Sequence, residues 1–137
     1  MLIDVLSENP DLRVIHKIID ILNNDGLIVV PTDTIYAFAT SINSKKGIER
    51  LAKIKNEKLK RSNFSLICKD LSNISKYTKP IDRKTFRTLK STLPGPFTFI
   101  LNANNSVSKI FQTNKKEIGI RVPDHKFIKT LVEEFNH

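Results

Sequence analysis

The strongest constraint on the fold is a switch of hydrophobic period early in the chain. Val14, Ile15, Ile18, Ile19 and Leu22 recur on one face of a 3.6-residue repeat. Asn9 as cap, Pro10 at the first helical position and Gly26 just past the end complete a predicted amphipathic helix. The next segment, "LIVVP" (27–31), is instead a continuous β-branched run, which predicts a strand buried on both faces. "TIYAFAT" (34–40) then predicts the return strand, with "PTD" as the turn between them.

The same alternation continues along the chain. Ile48, Leu51, Ala52 and Lys55 share a face of a second predicted helix, and "NFSLIC" (63–68) predicts a strand. A short helix is expected at 71–76. Asp82 is placed to cap a helix carrying Phe86 and Leu89, which "LPGP" stops before the strand "FTFIL" (97–101). "EIGIRVP" (117–123) predicts another strand, and Asp124 a cap for a helix with Phe127, Ile128, Leu131, Val132 and Phe135 on one side. Alternating strands and helices with two hairpin-like returns imply an α/β fold on a mixed sheet. There is no internal repeat and no linker, and 137 residues suit a single domain, 1–137.

Twenty-three Lys and Arg against fourteen Asp and Glu give a formal charge of +9. Such a balance suits a polyanionic partner, RNA or nucleotide phosphate, or a solvated basic face with no partner. The stretch "KIKNEKLKRSNF" (53–64) concentrates it, with Lys53, Lys55, Lys58, Lys60 and Arg61 opposed only by Glu57. The single Cys68 excludes an internal disulfide. No apolar run approaches the roughly 18 residues of a membrane span, and the N-terminus lacks the pattern of a secretory signal. The expectation is a cytoplasmic protein without a membrane partner.

The three histidines, His16, His125 and His137, have no second ligand at zinc spacing, so no protein-held metal is expected. The Walker-type loop, the dinucleotide fingerprint and the nucleophile elbow are all missing. What remains are polar residues at predicted strand ends, where open α/β sheets take their ligands. Thr32, Asp33 and Thr34 are either ligand-holding hydroxyls and carboxylate or ordinary turn chemistry. Arg121, in an otherwise apolar strand, needs a carboxylate or phosphate, supplied by a ligand or by Asp33, Asp124 or another acid. Asn63 and Ser65 are phosphate donors or edge residues, and Cys68 reads as a small core hydrophobe. Lys55 suits a helix C-terminus even without a ligand.

Together "LIVVPTDTIYAFAT", "IERLAKIKN", "NFSLICKDLS", "LPGPFTFIL" and "IGIRVPDH" resemble, in order and spacing, the YrdC-like domain of threonylcarbamoyl-AMP synthases, over residues 10 to 137. "NFSLICKDLS" and the long basic loop are most similar to its YciO-like branch. The resemblance implies an open, twisted α/β sheet with flanking helices and a concave basic cavity. It implies a nucleotidyltransferase that converts L-threonine, bicarbonate and ATP, with Mg²⁺ carried on ATP, to threonylcarbamoyl-AMP for t6A37 modification of tRNA. Position by position, Thr34 and Arg121 match threonine-binding residues, Arg121 gripping the carboxylate, while Lys55 and Asn63 match nucleotide-binding ones. Thr98 matches a recurrent threonine with a structural role.

The departures from the pattern are specific. Glu57 occupies the place of the arginine of K-x-R, so Lys58 or Arg61 is expected to supply the nucleotide-binding charge. "YAFA" replaces Y-G-L-G, Glu117 stands where threonine is common, and Cys68 where some members have histidine. The resemblance also implies a further strand bearing S-T-S-A-N after position 137, so an incomplete C-terminal portion is expected. The other functional expectations are a non-catalytic domain that binds tRNA or double-stranded RNA, and an inactive fragment. Phe and Tyr fall mainly at expected core positions, which leaves phosphate and shape reading as the RNA mode.

Overall fold

The computed structural model describes residues 1–3, 9–59 and 62–135. Helix α1 (Leu12–Asn23) buries Ile15, Ile18 and Leu22, the face expected from the sequence. Its cap is Asp11 rather than Asn9: the Asp11 carboxylate accepts the Arg13 N–H at 2.9 Å, so the helix starts after Pro10. At the other end Asp25 takes a left-handed conformation (φ 62°), and the Gly26 N–H closes on the Ile21 carbonyl at 2.9 Å. A Cβ at Gly26 would lie 2.5 Å from that carbonyl oxygen, so this approach requires glycine.

Strand β1 (Ile28–Val30) pairs antiparallel with β2 (Ala37–Ala39), with Val29 opposite Phe38. The connection between them is the whole of 31–36, wider than the expected three-residue turn. β1 is also not buried on both faces. Val29 is 56% exposed and Phe38 51%, because the hairpin forms its own two-stranded sheet and is covered on one side only. Continuous apolar runs cannot distinguish one-sided from two-sided burial.

Helix α2 (Lys45–Ile54) is capped by Ser44, whose hydroxyl accepts the Gly47 N–H at 2.8 Å and donates to Asp25 at 2.6 Å. Ile48, Leu51 and Ala52 are buried, whereas Lys55 is the exposed C-cap residue and does not share their face. Strand β3 (Ser65–Ile67) follows the basic stretch, then α3 (Leu71–Ile74), capped by Asp70, and α4 (Arg83–Thr92), capped by Asp82. On α4 Leu89 is buried but Phe86 is exposed; Tyr36, Phe38 and Phe97 are exposed as well, so the aromatics are less confined to the core than expected.

Strands β4 (Phe99–Asn102) and β5 (Glu117–Arg121) are antiparallel, joined by a helix α5 (Asn105–Phe111) that the sequence reading did not anticipate. β3 runs parallel to β5, which gives the mixed order β3–β5–β4. The last helix, α6 (Lys126–Phe135), starts with the His125 carbonyl accepting the Lys129 N–H. The expected cap at Asp124 is not seen: among the described residues no helix N–H donates to its carboxylate, and its own N–H donates to Asp33.

Two apolar clusters hold these elements. One joins α2, α3 and α5 to β3 and β5 through Ile48, Leu66, Ile74, Val107, Phe111, Ile118 and Ile120; the other joins α1, α6 and Val30. The result is a mixed α/β fold with helices flanking a mixed sheet. Strand alternation then decides where chemistry can sit. Ile118 and Ile120 point into the core, so Gly119 and Arg121 face the opposite side of the sheet.

Candidate functional site

Arg121 is held on that face by the connection between β1 and β2. Its Nη2 donates to Asp33 Oδ1 at 3.0 Å and to the exposed Thr34 hydroxyl at 3.4 Å. The second Asp33 oxygen accepts the Asp124 N–H at 2.9 Å, so one carboxylate ties three segments together. The pair is mostly withdrawn from water, with side-chain exposures of 18% for Arg121 and 9% for Asp33. Thr32 shapes the connection: its hydroxyl donates to the Ile35 carbonyl at 2.6 Å and accepts the Thr34 N–H at 3.2 Å. That leaves the Thr34 hydroxyl beside the guanidinium. The two sequence readings of Arg121 therefore coexist, because one edge of the fork is paired to Asp33 while the residue still lines a cleft.

The cleft has a volume of about 590 Å³ and runs between the hairpin and the β3–β5–β4 sheet. Arg121, Lys55 and Asn63 line it together with Ser65, Thr98 and Tyr36. Gly119 lies against two of these lining residues: a Cβ there would lie 2.7 Å from the Ser65 hydroxyl and 3.3 Å from the Thr98 methyl group. Lys58 is exposed and is not among the lining residues, and Arg61 lies outside the described residues. A larger concavity of about 860 Å³ lies beside α6, where Lys69, Lys90, Lys126 and Lys129 are interspersed with Asp70, Asp124 and Glu133. None of Thr34, Lys55, Asn63 or Arg121 lines it.

Two features of the cleft rim were not foreseen. Phe64 stacks on Phe111 with ring centroids 6.2 Å apart, and the Lys55 ammonium sits 5.0 Å over the Phe64 ring. Lys115, from the loop after α5, donates to the Ser62 carbonyl and lies 5.3 Å over the Phe111 ring. Partial burial pushes the Lys115 ammonium below its ordinary pKa, and nearby Glu57 opposes that shift. Glu57, at the place of the expected arginine, thus supports a lysine that ties down the basic stretch. Lys115 belongs to no motif; only its neighbours in space mark it.

Cys68 is 2% exposed, and burial, with a smaller contribution from Asp70, pushes its thiol from 9.0 up to about 12. The native thiol is expected to resist a disulfide reagent at pH 8 and to react once urea unfolds the chain; equal rates would contradict its burial. The native state keeps a proton that the unfolded chain loses first. This contribution to stability is therefore complete below pH 9 and is lost as the pH rises toward about 12.

The family described as telomere recombination, that of Sua5, YciO and YrdC, matches residues 20–137. The chain belongs to this family. Among its relatives is the uncharacterized protein YciO of Escherichia coli, 37% identical over 127 residues, which cover 92% of this chain and 61% of YciO. The crystal structure of E. coli YciO superposes with a TM-score of 0.84 at 36% identity, covering 94% of this chain and 62% of YciO. The threonylcarbamoyl-AMP synthase of Coxiella burnetii is 28% identical over 121 residues, 88% of this chain and 64% of that enzyme. P. abyssi Sua5, crystallised with L-threonine, shares the fold with a TM-score of 0.84 at 19% identity, over all of this chain and 40% of Sua5. The chain thus spans about three fifths of the length of the curated relatives it matches. Among the described residues, no helix is long and apolar enough to cross a membrane.

Proposed function

We propose that this domain carries the amino-acid and nucleotide subsites of a threonylcarbamoyl-AMP synthase-type nucleotidyltransferase. The observation that carries the reading is Arg121, fixed by Asp33 and in reach of the Thr34 hydroxyl, at a cleft that Arg121 lines together with Lys55 and Asn63, although Thr34 itself is not a lining residue. The free donors of the Arg121 fork suit the threonine carboxylate, with the Thr34 hydroxyl beside it. The threonine amine takes up bicarbonate carbon with loss of water, giving a carbamate. A carbamate oxygen then attacks the α-phosphorus of ATP, and the bond to the β,γ-phosphates breaks to release pyrophosphate.

Both reactants in that step are anions. The main task of the protein is to position them and neutralise their charge, and Lys55 and Asn63, which line the cleft, are the groups we assign to phosphate oxygens. Mg²⁺ enters on the triphosphate and supplies further charge neutralisation; among the described residues no group of three His, Cys, Asp or Glu is gathered to hold a metal. The chain incubated with L-threonine, bicarbonate and Mg-ATP is expected to release pyrophosphate in a threonine-dependent manner. Folded protein that shows neither this release nor a threonine-induced change in its NMR spectrum would overturn the reading.

A further inference from the structure

We propose that Phe64 is a positioning residue that holds the Lys55 ammonium over the cleft mouth, ready for nucleotide phosphate; this rests on the nucleotide subsite proposed above. Lys55 follows the last turn of α2 as its C-cap residue, so only its side chain is free to move toward the cleft. It is exposed, and among the described residues its ammonium makes no ion pair and rests on the Phe64 ring face, 5.0 Å away. The ring itself is fixed. It stacks on Phe111, which is 2% exposed and sits at the end of α5, so the platform is anchored in the core while its lysine is at the rim.

The physical effect is on freedom rather than on charge. A solvated lysine carries four rotatable bonds and loses that freedom when it meets a phosphate. A cation resting on an aromatic face has already surrendered part of it, and still keeps ammonium hydrogens for an anion on the open side. The neighbouring chain is fixed as well, because Lys115 ties Ser62, two residues before Phe64, to the loop after α5.

The test is a mutant cycle read by calorimetric titration with Mg-ATP, using Phe64→Leu, Phe64→Tyr, Lys55→Ala and the Lys55→Ala/Phe64→Leu double variant. Phe64→Leu keeps an apolar group against Phe111 and removes the ring face; it is expected to weaken Mg-ATP binding about three- to fivefold, the worth of an exposed cation–π contact. Phe64→Tyr should restore the native value, and the double variant should bind no worse than Lys55→Ala alone. The lysine ε-methylene protons give a readout that packing alone does not move: an upfield ring-current shift in the native chain and in Phe64→Tyr, absent in Phe64→Leu. A native affinity in Phe64→Leu, or additive losses in the double variant, would overturn the positioning role while leaving the nucleotide subsite standing. No Mg-ATP binding by the native chain would overturn the role and the subsite together, even with the ring-current shift present.

Discussion

Replacing Asp33 by alanine is expected to lower the unfolding free energy by about 3 kcal/mol, toward the cost of leaving a buried charge unpaired. Two groups lose their partner at once. Arg121, at 18% side-chain exposure, keeps its charge but loses the carboxylate at 3.0 Å. The Asp124 N–H loses its acceptor at 2.9 Å, and with it the tie between the β5–α6 loop and the hairpin connection. Asp33→Asn retains a single carbonyl oxygen, enough for one of those donors, and should cost about half as much. Urea titration checks both: the midpoint should fall with the slope unchanged. A loss in Asp33→Ala no larger than that of an exposed ion pair, under about 1 kcal/mol, would mean that water already satisfies Arg121.

The elements that were legible in the sequence are those whose pattern is local. The faces of α1 and α6 follow from apolar spacing, and Asp82 and the helix it caps from a signal a few residues long. Helix α5 escaped for the same reason. It has seven residues, Asn-rich at its start, and only Val107 and Phe111 are buried, so its periodic signal is too short to separate from a loop. The wrong cap at Asn9 reflects three adjacent residues that can each begin a helix.

The candidate site divides along the same line. Thr34 and Arg121 stood out individually, as a hydroxyl in a strand-end turn and an arginine in an apolar strand. Their meeting spans 87 positions, and Asp33 was only one of several acids in the sequence able to pair with Arg121. The stack of Lys55, Phe64 and Phe111 and the reach of Lys115 across 53 positions to Ser62 depend wholly on how α5 packs under β3. No spacing rule encodes such contacts, whereas the resemblance to YrdC-like domains ordered the motifs correctly because a family pattern already contains the fold.

Arg121→Lys separates folding from recognition. A lysine at 121 keeps a positive charge for Asp33, so the stability loss should stay under about 1 kcal/mol, well short of that in Asp33→Ala. It does not keep the planar fork, with one edge on Asp33 and the other free for a carboxylate. On the proposed function, threonine-dependent pyrophosphate release should therefore fall about 100-fold in kcat/KM, which corresponds to about 2.7 kcal/mol and lies within the range for a hydrogen bond to a charged group. The threonine carboxylate carries the same charge in the ground and transition states. Its loss of grip belongs mainly in the KM for threonine, with kcat and the affinity for Mg-ATP little changed. An equal loss in kcat would instead place Arg121 at the reacting carbamate or phosphate, and unchanged kinetics would leave it a purely structural partner of Asp33.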